Sequence, residues 1–240
     1  MSGHSRWAKL KHFKGALDAK KSAMFTKLAQ AITVAARQGG GDPSTNFKLR
    51  LAIDNARRAN VPKNNIERAI KRGTGEPGGE KIEEVIYEAF GPPGTTLIIE
   101  ALTDNKNRTL ASLRHILNKY GGNLGRENSV GWMFERKGII RLVVDELGEN
   151  KENIQLKAIE AGAEDIKEED DELAIYTRPE DLQKVKENLE KDGVKIDYVE
   201  TEWFARDPVK VSPDVQKKID GLFAELDDNP DISDYYTNIK

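Results

Sequence analysis

The sequence predicts an α+β, multidomain chain: an N-terminal three-helix bundle followed by two α/β domains, the last ferredoxin-like and inserted in the middle one. Three observations predict it. Helical periodicity runs through the first 72 residues, and a Gly/Pro-rich stretch then gives way to strand-like segments. Between Ile139 and Phe204 the segments alternate β-α-β-β-α-β, the ferredoxin-like order. A helix and a strand follow that this unit cannot hold, so they return to the middle domain and make the segment before them an insertion. The expected domains are 1–75, a basic helical domain with a flexible N-terminal arm; 80–134 plus 206–240, a middle α/β domain; and 135–205, the ferredoxin-like unit.

The elements follow in order. From Met24, at about 100° per residue, Met24, Phe25, Leu28, Ala31, Ile32 and Ala35 share one arc, with Thr26, Gln30, Thr33 and Arg37 opposite. Gly39-Gly40-Gly41 stops that helix. A second helix over Phe47–Ala59 sets Leu49, Ala52, Ile53 and Ala56 on one side, with Arg50 and Arg57 on a shared flank, and Asn60 ends it in a left-handed turn. A third, starting near Pro62, opposes Ile66, Ala69 and Ile70 to Arg68, Lys71 and Arg72 and ends at Gly73. Gly73, Gly75 and Gly78 match the dinucleotide pattern G-x-G-x-x-G literally. That pattern needs a strand before it and a helix after it. Here a helix precedes and Pro77 follows, so the stretch reads as a linker.

Val85–Phe90 and Thr95–Leu102 flank Gly91-Pro92-Pro93-Gly94 as a hairpin. Asn107–Tyr120 reads as a helix with Leu110, Leu113, Leu117 and Tyr120 inward and Gly121-Gly122 as its stop. Ser129–Phe134 and Ile139–Val144 read as strands, Asn153–Ala161 as a helix, Glu164–Lys167 and Leu173–Thr177 as strands. Pro179–Lys191 then reads as a helix and Val194–Phe204 as a strand. Ser212-Pro213-Asp214 caps a last helix carrying Val215, Ile219, Leu222, Phe223 and Leu226. Ile232–Ile239 closes the chain as a strand.

Composition narrows the function. The chain has 240 residues, 38% apolar and 33% charged, with no Cys and three His. No apolar run approaches the ~18 residues of a membrane span, and the N-terminus lacks the apolar region of a secretory signal. Without Cys there is no disulfide framework and no thiolate metal site. The expectation is a cytoplasmic protein. The net charge of −3 hides a sharp asymmetry. Residues 1–72 hold sixteen Lys/Arg against four Asp/Glu, a net +12; the remainder holds 22 against 37, a net −15. A basic module on an acidic body points to a polyanion partner.

The N-terminal arm interleaves His4, Arg6, Lys9, Lys11, His12, Lys14, Lys20 and Lys21 with Trp7 and Phe13. Cations release counterions from phosphates, and an exposed ring stacks on an unpaired base. Trp7, Lys27, Arg50, Arg57, Arg68, Lys71 and Arg72 complete the candidate nucleic-acid-binding set. Asn105, Asn107 and Arg108 form a secondary candidate at a strand-to-helix junction, where Asn105 suits a cap and Arg108 reads as an exposed extra. The acidic run from Glu164 to Glu172 lacks the central Gly of a calcium loop and reads as a solvated hairpin. His115 falls opposite its helix's apolar arc. G-x-x-x-x-G-K-[ST], H-E-x-x-H and G-x-S-x-G are all missing, so the expectation is a non-enzyme with no catalytic or metal-binding residues, no cofactor and no small-molecule substrate.

At this point the chain resembles the YebC/PmpR family. The resemblance rests on Gly3-His4-Ser5-Arg6-Trp7, Asp18-Ala19-Lys20-Lys21, Phe25-Thr26-Lys27-Leu28, Gly41-Asp42-Pro43 and Asn64-Asn65-Ile66-Glu67-Arg68-Ala69-Ile70. It continues through Leu102-Thr103-Asp104-Asn105, Asn107-Arg108-Thr109, Gly121-Gly122-Asn123-Leu124-Gly125 and Ser129-Val130. Asn128 stands where the family often has Gly, a replacement a left-handed turn tolerates. Pro93 lies in a loop usually written with one Pro. The resemblance implies a helical N-terminal domain followed by two α/β domains, the last inserted. For function it implies a cytoplasmic DNA-binding regulator of transcription. It also implies, as the alternative, a ribosome-associated translation factor that binds ribosomal RNA and relieves slow synthesis of proline-rich stretches.

Overall fold

The computed structural model describes residues 18–75, 81–143, 151–169 and 172–240. In the helical region α1 spans Asp18–Gly39, α2 Phe47–Arg58 and α3 Lys63–Gly73. Asn46 joins the first two. Its Oδ1 accepts the Leu49 amide at 3.0 Å, while its Nδ2 donates to the carbonyls of Ala35 and Gly40, both at 2.8 Å. One buried side chain thus caps α2 and satisfies carbonyls at the end of α1. Leu28, Ile32, Leu49, Ile53, Ala56 and Ile66 form the shared core. Asn60 ends α2 at φ 60, as expected.

Thr33 departs from the sequence reading. It is buried, not solvent-facing, and its hydroxyl is shared between the carbonyls of Ala29 (2.9 Å) and Ala69 (3.1 Å). The cause is Gly73, which ends α3 as expected and is buried there. A Cβ there would lie 2.4 Å from the Thr33 carbonyl oxygen, so its absence lets α3 press onto α1 and cover Thr33.

The middle sheet takes β1 (Glu83–Phe90), β2 (Thr96–Thr103), β3 (Asn123–Leu124) and, from the far end of the chain, β8 (Ile232–Thr237), in the order β3-β1-β2-β8. β1 and β2 form the expected antiparallel hairpin, with Phe90 opposite Thr96. Helices α4 (Lys106–Lys119) and α7 (Pro213–Asp228) pack on it through Leu113, Leu117, Leu222 and Phe223 against Leu97, Ile99 and Ala101. Ser212 accepts the Val215 amide to cap α7, with Pro213 in the first turn. The bundle is joined to this sheet: Arg37 donates to the Ile82 carbonyl at 2.8 Å, and Lys48 pairs with Glu84 at 2.7 Å. Among the described residues no helix is long and apolar enough to cross a membrane.

Residues 135–204 cluster as a separate compact unit. Its elements are β4 (Phe134–Val143), α5 (Lys151–Ala161), β5 (Asp165–Glu169), β6 (Glu172–Thr177), α6 (Leu182–Lys191) and β7 (Tyr198–Ala205). The sheet order β5-β6-β4-β7 is the ferredoxin-like one, and the chain then returns to the middle sheet through α7 and β8. Within the acidic run Glu172 is not solvated: it is buried and pairs with Arg141 at 3.5 Å. Strand alternation sets Glu172 on the same side of β6 as Ala174 and Tyr176, opposite Leu173 and Ile175.

Two strand boundaries also move. β7 begins at Tyr198, and Ser129–Phe134 is not a strand. Gly131–Met133 is a 3-10 turn and β4 starts at Phe134. Glu88 explains the difference, because its carboxylate claims backbone amides that a ladder would have used.

Candidate nucleic-acid interface

The sequence-predicted cations fall into three groups. His4, Arg6, Trp7, Lys9, Lys11, His12 and Lys14 lie outside the described residues. Lys20 and Lys21 lie on α1, where Lys21 is half-buried. Lys27, further along α1, donates to the Asp227 carbonyl at 2.7 Å. That contact sets a cation on the C-terminal turn of α7, a favourable place for positive charge, and gives Lys27 an internal role.

On α2, Arg50 lies over the Phe47 ring at 5.4 Å, and Arg57 faces Asp54 at 3.9 Å with 71% of its side chain exposed. Arg50 is half-buried and also donates to the Pro43 carbonyl at 3.5 Å, whereas the Arg57 cation stays in water. α3 is different. Arg68, Lys71 and Arg72 are all exposed, and spacings of three and four residues place them on one face, opposite buried Ile66 and Ala69. None of the three pairs with another described residue. Lys71 and Arg72 suit the negative end of the α3 dipole, a structural reason for two of them worth about 0.3–1 kcal/mol each. Arg68 sits mid-helix and has no such reason.

The secondary candidate resolves into structure. Asn105 accepts the Arg108 amide at 3.0 Å and caps α4. Asn107 is exposed on the first turn. Arg108 is exposed as expected but is not an extra: its guanidinium bridges Asp104 (2.8 Å) and Asp231 (2.8 and 3.3 Å), and those two carboxylates, Asp231 first, hold its pKa above the usual value.

Sequence reasoning missed the loop that precedes β4. Glu88 accepts the amides of Asn128 (2.7 Å), Val130 (2.6 Å) and Gly131 (2.7 Å). Burial pushes the Glu88 carboxyl up, but these amides together outweigh it and hold the group below the usual carboxylate range. The loop carries Trp132, 70% exposed. The turn-forming residues Asn128, Ser129 and Gly131 were the available signal.

Two family models match the chain. The TACO1/YebC protein N-terminal domain covers residues 5–76, and the TACO1/YebC second and third domain covers 82–239. The chain belongs to the TACO1/YebC family. This TACO1/YebC chain is 50% identical to the probable transcriptional regulatory protein TTE1135 of Caldanaerobacter subterraneus subsp. tengcongensis, over 100% of this chain and 98% of that one. It is 51% identical to a probable transcriptional regulatory protein of Pseudothermotoga lettingae, over 100% and 94%. A solved structure, the conserved hypothetical protein Aq1575 of Aquifex aeolicus, superposes with a TM-score of 0.87 at 43% identity, covering 98% of this TACO1/YebC chain and 97% of its own. The α+β fold with its N-terminal helical region is therefore shared within the family.

Proposed function

We propose that this chain is a non-enzymatic, nucleic-acid-binding regulator of gene expression. The observation that carries the reading is the exposed basic face of α3, inside a segment of net +12. Such a face attracts phosphates by counterion release and needs no catalytic group. The relatives' names, probable transcriptional regulatory proteins, fit a regulator.

Within that reading DNA-bound regulation of transcription stands first by the relatives' names. Translation is the second reading, favoured by the residue types in play. Arg68, Lys71 and Arg72 suit phosphates, and an arm carrying Trp7 and Phe13 among cations suits irregular RNA more than a groove. The ligand would then be ribosomal RNA, and the activity relief of slow synthesis on proline-rich stretches.

Two measurements separate the readings. Reconstituted translation of a proline-run reporter, with no transcription present, should respond to the full chain if it acts on ribosomes. Footprinting on genomic DNA should find a discrete site, preferred by about 10³ or more, if it regulates transcription. If the protein changes nothing in the first and occupies a discrete site in the second, translation is excluded. If it does neither and binds no nucleic acid, the whole reading fails.

A further inference from the structure

Trp132 is the most exposed large apolar side chain among the described residues. Its ring is nevertheless oriented, because Nε1 donates to the Ser129 carbonyl at 3.2 Å. The turn beneath it is clamped by Glu88 through the three amides described above, and Asn128 is held there at φ 64. Arg126 stands in the same loop, exposed and with no side-chain partner among the described residues; its carbonyl accepts the Ser129 amide at 3.1 Å. Phe90 lies two residues beyond Glu88 on the same face of β1 and is 37% exposed.

We propose that Trp132, Arg126 and Phe90 form a second contact for nucleic acid, one that takes an unpaired nucleotide of a single strand. The base stacks on the Trp132 ring, a neighbouring phosphate meets Arg126, and Phe90 offers a further apolar edge. This rests on the nucleic-acid reading and assigns it a site outside the basic segment. Ring and cation together are what an unpaired nucleotide requires, since every base has a π-face and every linkage a charge. A protein-docking patch would be a broad apolar area. Here the stretch that leads to the ring carries exposed Asn123, Arg126, Glu127 and Asn128. A duplex keeps its bases stacked on each other and leaves the ring nothing to hold.

The clamp supplies preorganisation. A ring already fixed by Ser129, on a turn already fixed by Glu88, loses little freedom when a base arrives. The site therefore discriminates unpaired from paired strands, while the basic segment supplies affinity to both.

The test uses the full chain against a 12-nucleotide RNA, the same sequence as single-stranded DNA, and the corresponding duplex. Trp132→Ala should weaken both single strands about tenfold and the duplex less than twofold. Trp132→Phe should retain most of the affinity. The RNA and DNA arms show whether the sugar matters; a loss on either single strand that exceeds the duplex loss supports the site. Thermal midpoints should match the parent, since the indole ring is exposed. In the parent labelled with 5-fluorotryptophan, the Trp132 fluorine resonance should shift on adding either single strand, which reads the site without any substitution. Unchanged single-strand affinity in Trp132→Ala with an unmoved resonance, or an equal loss on the duplex, overturns the proposal while leaving the function reading intact. A parent chain that binds no nucleic acid overturns both.

Discussion

Arg108 on α4 grips Asp231, the residue just before β8, through two parallel hydrogen bonds, Nε to Oδ2 at 3.3 Å and Nη2 to Oδ1 at 2.8 Å. The Thr109 hydroxyl reaches the same carboxylate at 2.7 Å, and the Leu102 amide donates to the Asp231 carbonyl at 2.8 Å. α4 precedes the inserted unit and Asp231 follows it, so this cluster is where the two halves of the middle domain are tied. Asp231 is 6% exposed, and removing it would leave the Arg108 guanidinium to Asp104 alone and the Thr109 hydroxyl to Thr103 and the Asn105 carbonyl.

Asp231→Ala should therefore lower stability by about 1–2 kcal/mol in urea unfolding. Arg108→Ala added to it should cost much less than Arg108→Ala alone, because the partner is already gone. Additive losses would show that the pair is not coupled.

Gly73 gives a test of the opposite sign from propensity. Gly→Ala in a helix usually stabilises by about 0.5–1 kcal/mol. At Gly73 the new Cβ would meet the Thr33 carbonyl oxygen at 2.4 Å and the Ala36 Cβ at 2.7 Å. Gly73→Ala should instead destabilise by about 1–3 kcal/mol, because α3 must back away from α1. A neutral or raised melting temperature would contradict that packing.

Glu88 makes the loop before β4 acid-sensitive. Its folded pKa lies below the unfolded value, so its contribution is complete above the ordinary carboxylate range and is lost as pH falls through the folded pKa. Amide exchange at Val130 and Gly131 should quicken on acidification, after correction for intrinsic rates. In Glu88→Gln those amides should exchange fast at every pH, with the acid dependence abolished. Protection that persists in the variant would remove Glu88 from the account.

These sites show what was legible in the sequence. Stops and caps are local, so Gly39-Gly40-Gly41, Asn60 and Ser212-Pro213 could be read directly. The ferredoxin-like order was legible because each segment keeps its own period, and the leftover helix and strand pointed back to the middle sheet. Thr33, Arg108 and the Ser129–Phe134 segment were misread for one reason. Each is decided by a residue far along the chain: Ala69 and Gly73, Asp231, and Glu88. The exposed basic face of α3 was legible from periodicity alone; the clamped ring of Trp132 was not, because the clamp comes from Glu88, some forty residues earlier.

Trp7→Ala and Lys20→Ala should differ in kind under the nucleic-acid reading. A stacking ring serves unpaired bases, so Trp7→Ala should weaken looped RNA more than duplex DNA. A phosphate contact is indifferent to sequence, so Lys20→Ala should weaken both about equally and lower the salt slope by ~1. Equal losses on the two ligands for Trp7→Ala would remove stacking from the arm's role.

Whether α3 offers its cations to phosphates is measured directly by the salt dependence of binding. The full chain and the triple variant Arg68→Ala/Lys71→Ala/Arg72→Ala should be titrated against structured RNA and duplex DNA across a range of ionic strengths. Each phosphate contact adds roughly 0.7–0.9 to the slope of log affinity against log salt. The variant should fold with the parent's thermal midpoint, bind more weakly, and show a slope shallower by about 2–3. An unchanged slope and affinity in the folded variant would contradict phosphate binding by α3.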